Sequence, residues 1–284
     1  MNNPAQLYPG STHPIPVRRP ELDFSDSIPR FWFMNNPVVT HSFNAFNLLI
    51  PESEHYFVRS VKNFKHLTRD PALRQQIKGF TAQESLHAKA HEDYFEWMKR
   101  KGYRLDRYLK ILRAYIKFSE RMGTAKYNLA ATAAAEHYTA AIGTLLLTEP
   151  KLVKDMDPTM KRFITWHSVE EIEHKAVAFD ILKIADVSNF TRLLAYIIVS
   201  FDILLFTSIG ILMLSRQDGI SALQMYHYKR AFRKEVPGVS KRFRKMIFAY
   251  FRSDFHPNQT DNLAHAHHEL EQTGIKANST ERIS

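Results

Sequence analysis

Residues 80–95, FTAQESLHAKAHEDYF, decide the fold. Glu84 and His87 stand three positions apart. An i,i+3 pair lies on one face of an α-helix, so both side chains can reach one point in space. Ile77, Phe80, Ala88 and Met98 share that face, which therefore points inward. Residues 166–182, WHSVEEIEHKAVAFDIL, repeat the device with Glu171 and His174. Each pair follows one more glutamate on its own helix: Glu54 lies 30 positions before Glu84, and Glu136 lies 35 before Glu171. The chain reads as two helical hairpins joined by a long link over residues 102–122. Each hairpin presents one glutamate and one Glu-x-x-His.

Carboxylates on an inward stripe are costly unless something neutralises them. Four glutamates facing two divalent cations are near neutrality. The order Glu, Glu-x-x-His, Glu, Glu-x-x-His is similar to the ligand set of ferritin-like di-iron and di-manganese proteins, in which two helices each give a glutamate and two each give a Glu-x-x-His. The expected fold is therefore all-α: a ferritin-like four-helix bundle with a dinuclear metal site, followed by C-terminal apolar and basic helices.

The stretches IPESEHYFVRSVKNF (50–64), FTAQESLHAKAHEDYF (80–95), LAATAAAEHYTA (129–140) and WHSVEEIEHKAVAFDIL (166–182) resemble the motifs of a bacterial family of predicted metal-dependent hydrolases. The resemblance spans residues 30–255. It implies metal ligands at Glu54, Glu84, His87, Glu136, Glu171 and His174, and metal-dependent hydrolysis as one reaction.

Helical phase decides between neighbours. Glu54 shares its face with Phe57, Val58 and Val61, whereas Glu52 faces with His55, Tyr56 and Arg59 and suits the helix N-terminus. His91 follows His87 by one turn. His167 and Glu170 share the face of Glu171 and His174. These three are expected to support the ligands or to add a ligand. His137 points about 100° away from Glu136 and is the weaker candidate. Glu173 is expected to face outward. The small residues around Glu136 let helices approach closely and leave space beside the metals.

Cysteine is absent, which excludes disulfides, thiolate ligands and a cysteine nucleophile. Oxygen and imidazole donors suit iron or manganese, with zinc compatible, and two iron ions are the expected cofactor. The net charge of +10 is uneven. Residues 229–245 hold Lys229, Arg230, Arg233, Lys234, Lys241, Arg242, Arg244 and Lys245 against Glu235. Such a run suits an anionic membrane surface. Nucleic acid is not favoured, since no recognition fold accompanies the run.

Prolines and glycines mark the expected helix boundaries. Helices are expected over 51–67, 71–101, 104–121, 124–148 and 158–185. Residues 193–214, LLAYIIVSFDILLFTSIGILML, are long and apolar enough to span a membrane. A crossing that kept the basic run cytoplasmic would place the metal bundle outside. The segment is therefore expected either to pack as a fifth helix or to dip into one leaflet. The organisation reads as an N-terminal extended arm (1–37), a ferritin-like metal-binding bundle (38–186), an apolar and basic segment (187–255) that can associate with a membrane, and a polar, disordered tail (256–284). The first twenty residues carry no apolar run of a secretory signal, so the expected location is cytoplasmic, peripheral or monotopic on the inner membrane face.

The leading functional expectation is a di-iron enzyme that uses O2 and an electron donor to oxidise a small hydrophobic substrate. The alternatives are a two-metal hydrolase and a non-catalytic iron-binding protein.

Overall fold

The computed structural model describes residues 13–276. Those residues form twelve α-helices and no strand. In chain order they are α1 (Pro37–Asn47), α2 (Ile50–Lys62), α3 (Pro71–Arg100), α4 (Asp106–Met122), α5 (Ala125–Thr148), α6 (Pro150–Val153), α7 (Pro158–His174), α8 (Val177–Ile184), α9 (Asn189–Gln217), α10 (Ala222–Glu235), α11 (Val239–Phe248) and α12 (Leu263–Glu271).

Local chemistry sets the boundaries. The Asp70 side chain accepts from Ala72 N at 2.8 Å, and Pro71 opens α3. Asp157 caps α7 in the same way, ahead of Pro158. A side-chain oxygen at the N-cap satisfies an otherwise orphaned helical N–H, and proline there has no N–H to lose.

Four segments close a ring. α2 packs on α3 and on α5, α5 packs on α7 and α8, and α3 packs on α7 and α8. α4 links the two halves and lies against α2. Gly143 of α5 lets α7 come close, since a Cβ there would lie 3.0 Å from Ser168 O and 3.1 Å from its Cα. The ring interior holds the polar cluster described below.

Three expectations change. The single helix expected over 158–185 is two, broken directly after His174. Neither proline nor glycine stands there. The break coincides with Lys175, which is buried and donates to Thr260 O and Asn262 Oδ1, both at 2.7 Å. Burial pushes the Lys175 amine down to about 8. Secondly, the N-terminal segment has no helix before Pro37 among the described residues, yet it is packed and not a free arm: Ile15, Arg18, Phe24, Ile28, Trp32 and Phe33 are buried. Thirdly, the stretch expected to be a disordered tail forms α12 on α7, with Ala266 and Leu270 buried. Residues 277–284 and 1–12 lie outside the described residues.

The apolar helix α9 has two faces. One, with Ala195, Tyr196, Phe206, Gly210 and Leu214 buried, packs on α1 and α5. Gly210 permits close approach to α1, as a Cβ there would lie 2.8 Å from Ala45 Cβ. The other face is open: Phe190, Ile197, Phe201 and Leu204 are more than half exposed. Only 17% of the most apolar 18-residue window is buried, so α9 is not a core helix. Asn36 Nδ2 donates to Tyr228 O at 3.1 Å and ties α10 to the start of α1. Arg242 of α11 pairs with Glu149 at the end of α5.

Candidate metal centre

Glu54, Glu84, His87, Glu136, Glu171 and His174 converge inside the ring, each 0–3% exposed. The apolar stripes expected from the sequence put them there. Phe57, Val58 and Val61 flank Glu54 on α2, and Ile77, Phe80 and Ala88 flank Glu84 on α3. Glu52 lies on the outer side and pairs with Arg113 of α4.

His87 Nδ1 stands 3.7 Å from Glu54 Oε1 and 3.5 Å from Glu171 Oε1. His174 Nε2 stands 3.3 Å from Glu84 Oε1 and 3.9 Å from Glu171 Oε1. Two sets of donors each fit within 4.8 Å: Glu54, His87, His167 and Glu171, and Glu84, His87, Glu171 and His174. His87 and Glu171 belong to both. Glu136 is in neither set. It contacts the cluster through His174, whose Nδ1 is 2.9 Å from Glu136 Oε2.

The remaining candidates separate clearly. His167 belongs in the ring, with Nε2 at 2.7 Å from Glu171 Oε1, and its Nδ1 meets His91 Nε2 at 2.8 Å. His91 is one layer further out, edge-on to Phe163. Glu170 holds His87 from behind, with Oε2 3.0 Å from Nε2. His137 is turned away from the cluster: its Nε2 meets Met246 O at 3.0 Å, among Tyr250 and Phe255.

Sequence reasoning missed the outer shell. Glu173 does not face outward. It is buried and held by Arg18 through two bonds of 2.7 and 2.8 Å, by Gln83 at 2.8 Å, and by His267 of α12 at 2.8 Å. Arg18 also donates to Glu170 at 3.1 Å. The N-terminal segment thus reaches His87 through one carboxylate. Nothing in the motif VRRP signals this, because the contact depends on how the segment folds over α7.

Electrostatics describe a metal-free cluster that takes up protons. Burial pushes Glu54, Glu84 and Glu136 above the ordinary glutamate range, and neighbouring carboxylates add to the effect at Glu84. Glu171 goes the other way: against burial, His174, His167 and His87 hold it low. His87 is raised to about 10 against burial by Glu170 and Glu171, while burial and the neighbouring His87 push His167 down to about 4.

The residues fit metal ions. Eight polar atoms of the cluster have no hydrogen-bond partner: both carboxylate oxygens of Glu54 and of Glu84, Glu136 Oε1, Glu171 Oε2, His87 Nδ1 and His174 Nε2. Buried polar atoms are ordinarily paired. Converging oxygen and imidazole-nitrogen donors of this kind suit a divalent cation.

The model of the family described as predicted metal-dependent hydrolases matches residues 16–261. The chain belongs to that family. In this predicted metal-dependent hydrolase family member, all the converging glutamates and histidines lie within the matched region. No curated protein and no solved structure matches the chain.

Proposed function

We propose that the chain is a metal-dependent enzyme with a ferritin-like dinuclear centre, and that it uses two iron ions and O2 to oxidise an apolar substrate. The observation that carries the reading is the set of orphaned carboxylate and imidazole atoms presented by four helices as Glu, Glu-x-x-His, Glu and Glu-x-x-His. His87, Glu54, Glu171 and His167 would hold one ion; His174, Glu84 and Glu171 the other, with Glu136 beside them. Manganese or zinc would fit the same donors. The ions would supply electron transfer to O2 and a site for it.

The chain's own residues do the rest. Glu170 accepts the Nε2 proton of His87 and so leaves Nδ1 facing the centre. Arg18 holds Glu170 and Glu173 in place. Phe43, Phe46 and Ile142 exclude water from the side on which His167 and Glu171 border a small cavity.

A second reading is two-metal hydrolysis, and the family description favours it. The ions would then make a bound water acidic. One experiment separates the two. Protein loaded with iron anaerobically is mixed with O2 and a reductant, and O2 uptake is followed; the same protein loaded with zinc or manganese is assayed anaerobically against p-nitrophenyl esters and phosphates. Metal-dependent O2 uptake with no ester cleavage supports oxidation. Anaerobic cleavage without O2 uptake overturns it in favour of hydrolysis. Iron loading far above two per chain would point to storage instead.

We also propose that this enzyme works at the surface of an anionic membrane. The support is the open apolar face of α9 together with the exposed cations of α10 and α11, helices that line a common cavity with α9. A cytoplasmic location on the inner membrane face is part of the same proposal.

A further inference from the structure

Between α1, α5, α9, α10 and α11 lies a cavity of about 730 Å³. That volume suits a small-molecule ligand, since such pockets run from about 300 to 1,000 Å³. Its walls are almost wholly apolar, and two cations, Lys229 of α10 and Arg244 of α11, line it. Both are exposed, and neither is ion-paired with any described carboxylate. The walls also include Phe43, Phe46, Ile142 and Leu146. The same four side chains line the 40 Å³ cavity that borders His91, His167 and Glu171. Four shared side chains therefore stand between a large apolar cavity lined by two cations and a small one lined by His91, His167 and Glu171.

We propose that this cavity binds the hydrocarbon chain of a single-chain anionic amphiphile, such as a long-chain carboxylate, with its head on Lys229 and Arg244 and its far end directed at the metal centre. The orientation rests on the dinuclear-centre reading above; the binding itself does not. Charge complementarity selects the head. An apolar cavity whose lining includes two exposed cations leaves an anion paired and removes the chain from water, whereas a cationic head would be repelled. The partition selects length. A short chain fills the outer cavity only, while a long one must displace Phe43 or Phe46 to reach Glu171. The open face of α9, with Leu204 and Ile211 lining the same cavity, gives such a molecule a route from a lipid surface.

The test uses the full-length protein loaded with Mn²⁺. Binding of hexadecanoate, of hexadecyl trimethylammonium and of octanoate is measured by displacement of a fluorescent fatty acid, below micellar concentrations. Hexadecanoate should bind at least tenfold more tightly than either competitor. Lys229→Glu with Arg244→Glu should weaken it at least tenfold without changing Mn²⁺ content. Ile142→Trp, which fills the partition, should weaken hexadecanoate more than octanoate. Equal binding of the cationic and anionic chains overturns the proposal, as does an unchanged affinity in the charge-reversed variant.

Orientation is read from paramagnetic broadening in ¹³C spectra. The terminal methyl should broaden more than the carboxylate, and the reverse order overturns the proposed direction. If the protein takes up no Mn²⁺, the metal reading fails while the displacement assay still decides the binding. A parallel arm presents hexadecanoate in zwitterionic vesicles. Faster transfer from vesicles than from free solution identifies the membrane as the source, and the converse identifies the free acid.

Discussion

Glu170 Oε2 lies 3.0 Å from His87 Nε2, while Nδ1, on the other side of the imidazole, faces Glu54 and Glu171. That bond fixes which nitrogen the ring offers to the centre. Arg18, also on Glu170, holds the carboxylate in place. Partners of this kind typically change metal affinity by about 10–100-fold. Glu170→Ala should therefore weaken binding of the first ion by about that factor, and Glu170→Gln by less, because the amide oxygen can still accept. Titration calorimetry with Mn²⁺ or Fe²⁺ measures both. Wild-type affinity in Glu170→Ala would show that the bond does not orient the ring.

Removing the metals should destabilise the fold in a pH-dependent way. Glu54, Glu84 and Glu136 titrate above their ordinary range in the metal-free chain, chiefly through burial. Between the ordinary value of about 4.3 and the raised one, the folded chain binds more protons than the unfolded chain. Metal-free stability therefore falls as the pH rises through that window. Metal binding displaces those protons and removes the penalty. The melting temperature should drop on chelation, and drop further at pH 8 than at pH 5.5. An equal drop at both pH values would show that the carboxylates do not carry the effect.

How far the sequence reaches is clear from particular residues. Glu54, Glu84, His87, Glu136, Glu171 and His174 come from the similarity to a ferritin-like ligand set and to the family motifs, and helical phase chooses Glu54 over Glu52, because a 3.6-residue period fixes which side chains share a face. The same rule misplaces Glu173. It assumes one buried face, but α7 is covered by α3, α5, α12 and the N-terminal segment, so its outer side is also interior. Arg18 and His267 are illegible for a related reason: they come from the two ends of the chain, and no period connects them to residues 170–173. α12 escapes notice because its apolar content is small. It gains order from burying Ala266 and Leu270 and from the His267–Glu173 bond.

Asp218, at the end of α9, is a second polar hub. Its carboxylate accepts from Arg30 Nε at 2.9 Å, from His41 at 2.8 Å and from Tyr103 at 2.8 Å. Burial opposes ionisation, but Arg30 and Tyr103 hold Asp218 below the ordinary aspartate range. A group with a lowered folded value adds stability above its unfolded value, about 3.9, and loses it as the pH falls through the folded one. Asp218→Asn should cost about 2 kcal/mol at pH 7, since it leaves buried donors weakly paired. The gap between variant and wild type should close as the pH drops below about 3.9. Urea unfolding at pH 7 and at successively lower pH measures it. A gap that is constant with pH would assign the loss to packing.

The membrane proposal makes the most exposed claim. On α9, Phe190 is 76% exposed, Leu204 67% and Phe201 61%. Side chains of this kind on one helix face are costly in water and favourable at the headgroup boundary. The cations of α10 and α11 would add about 1 kcal/mol each near anionic lipid, reduced by salt. The two contributions separate experimentally. Wild-type protein should co-sediment with phosphatidylserine-containing vesicles at low salt. High salt should weaken this without abolishing it. Replacing Arg233, Lys234, Lys241 and Lys245 by Gln should reproduce the salt effect, with a loss on the order of a hundred-fold or more in partitioning. Phe201→Ser with Leu204→Ser should remove the salt-resistant part and leave the salt-sensitive part. These side chains point away from the packed face of α9, so melting temperature should barely change. Protein that ignores anionic vesicles at low salt while remaining monodisperse would refute membrane docking, and a partner protein on the open face of α9 would then be the remaining explanation for its composition.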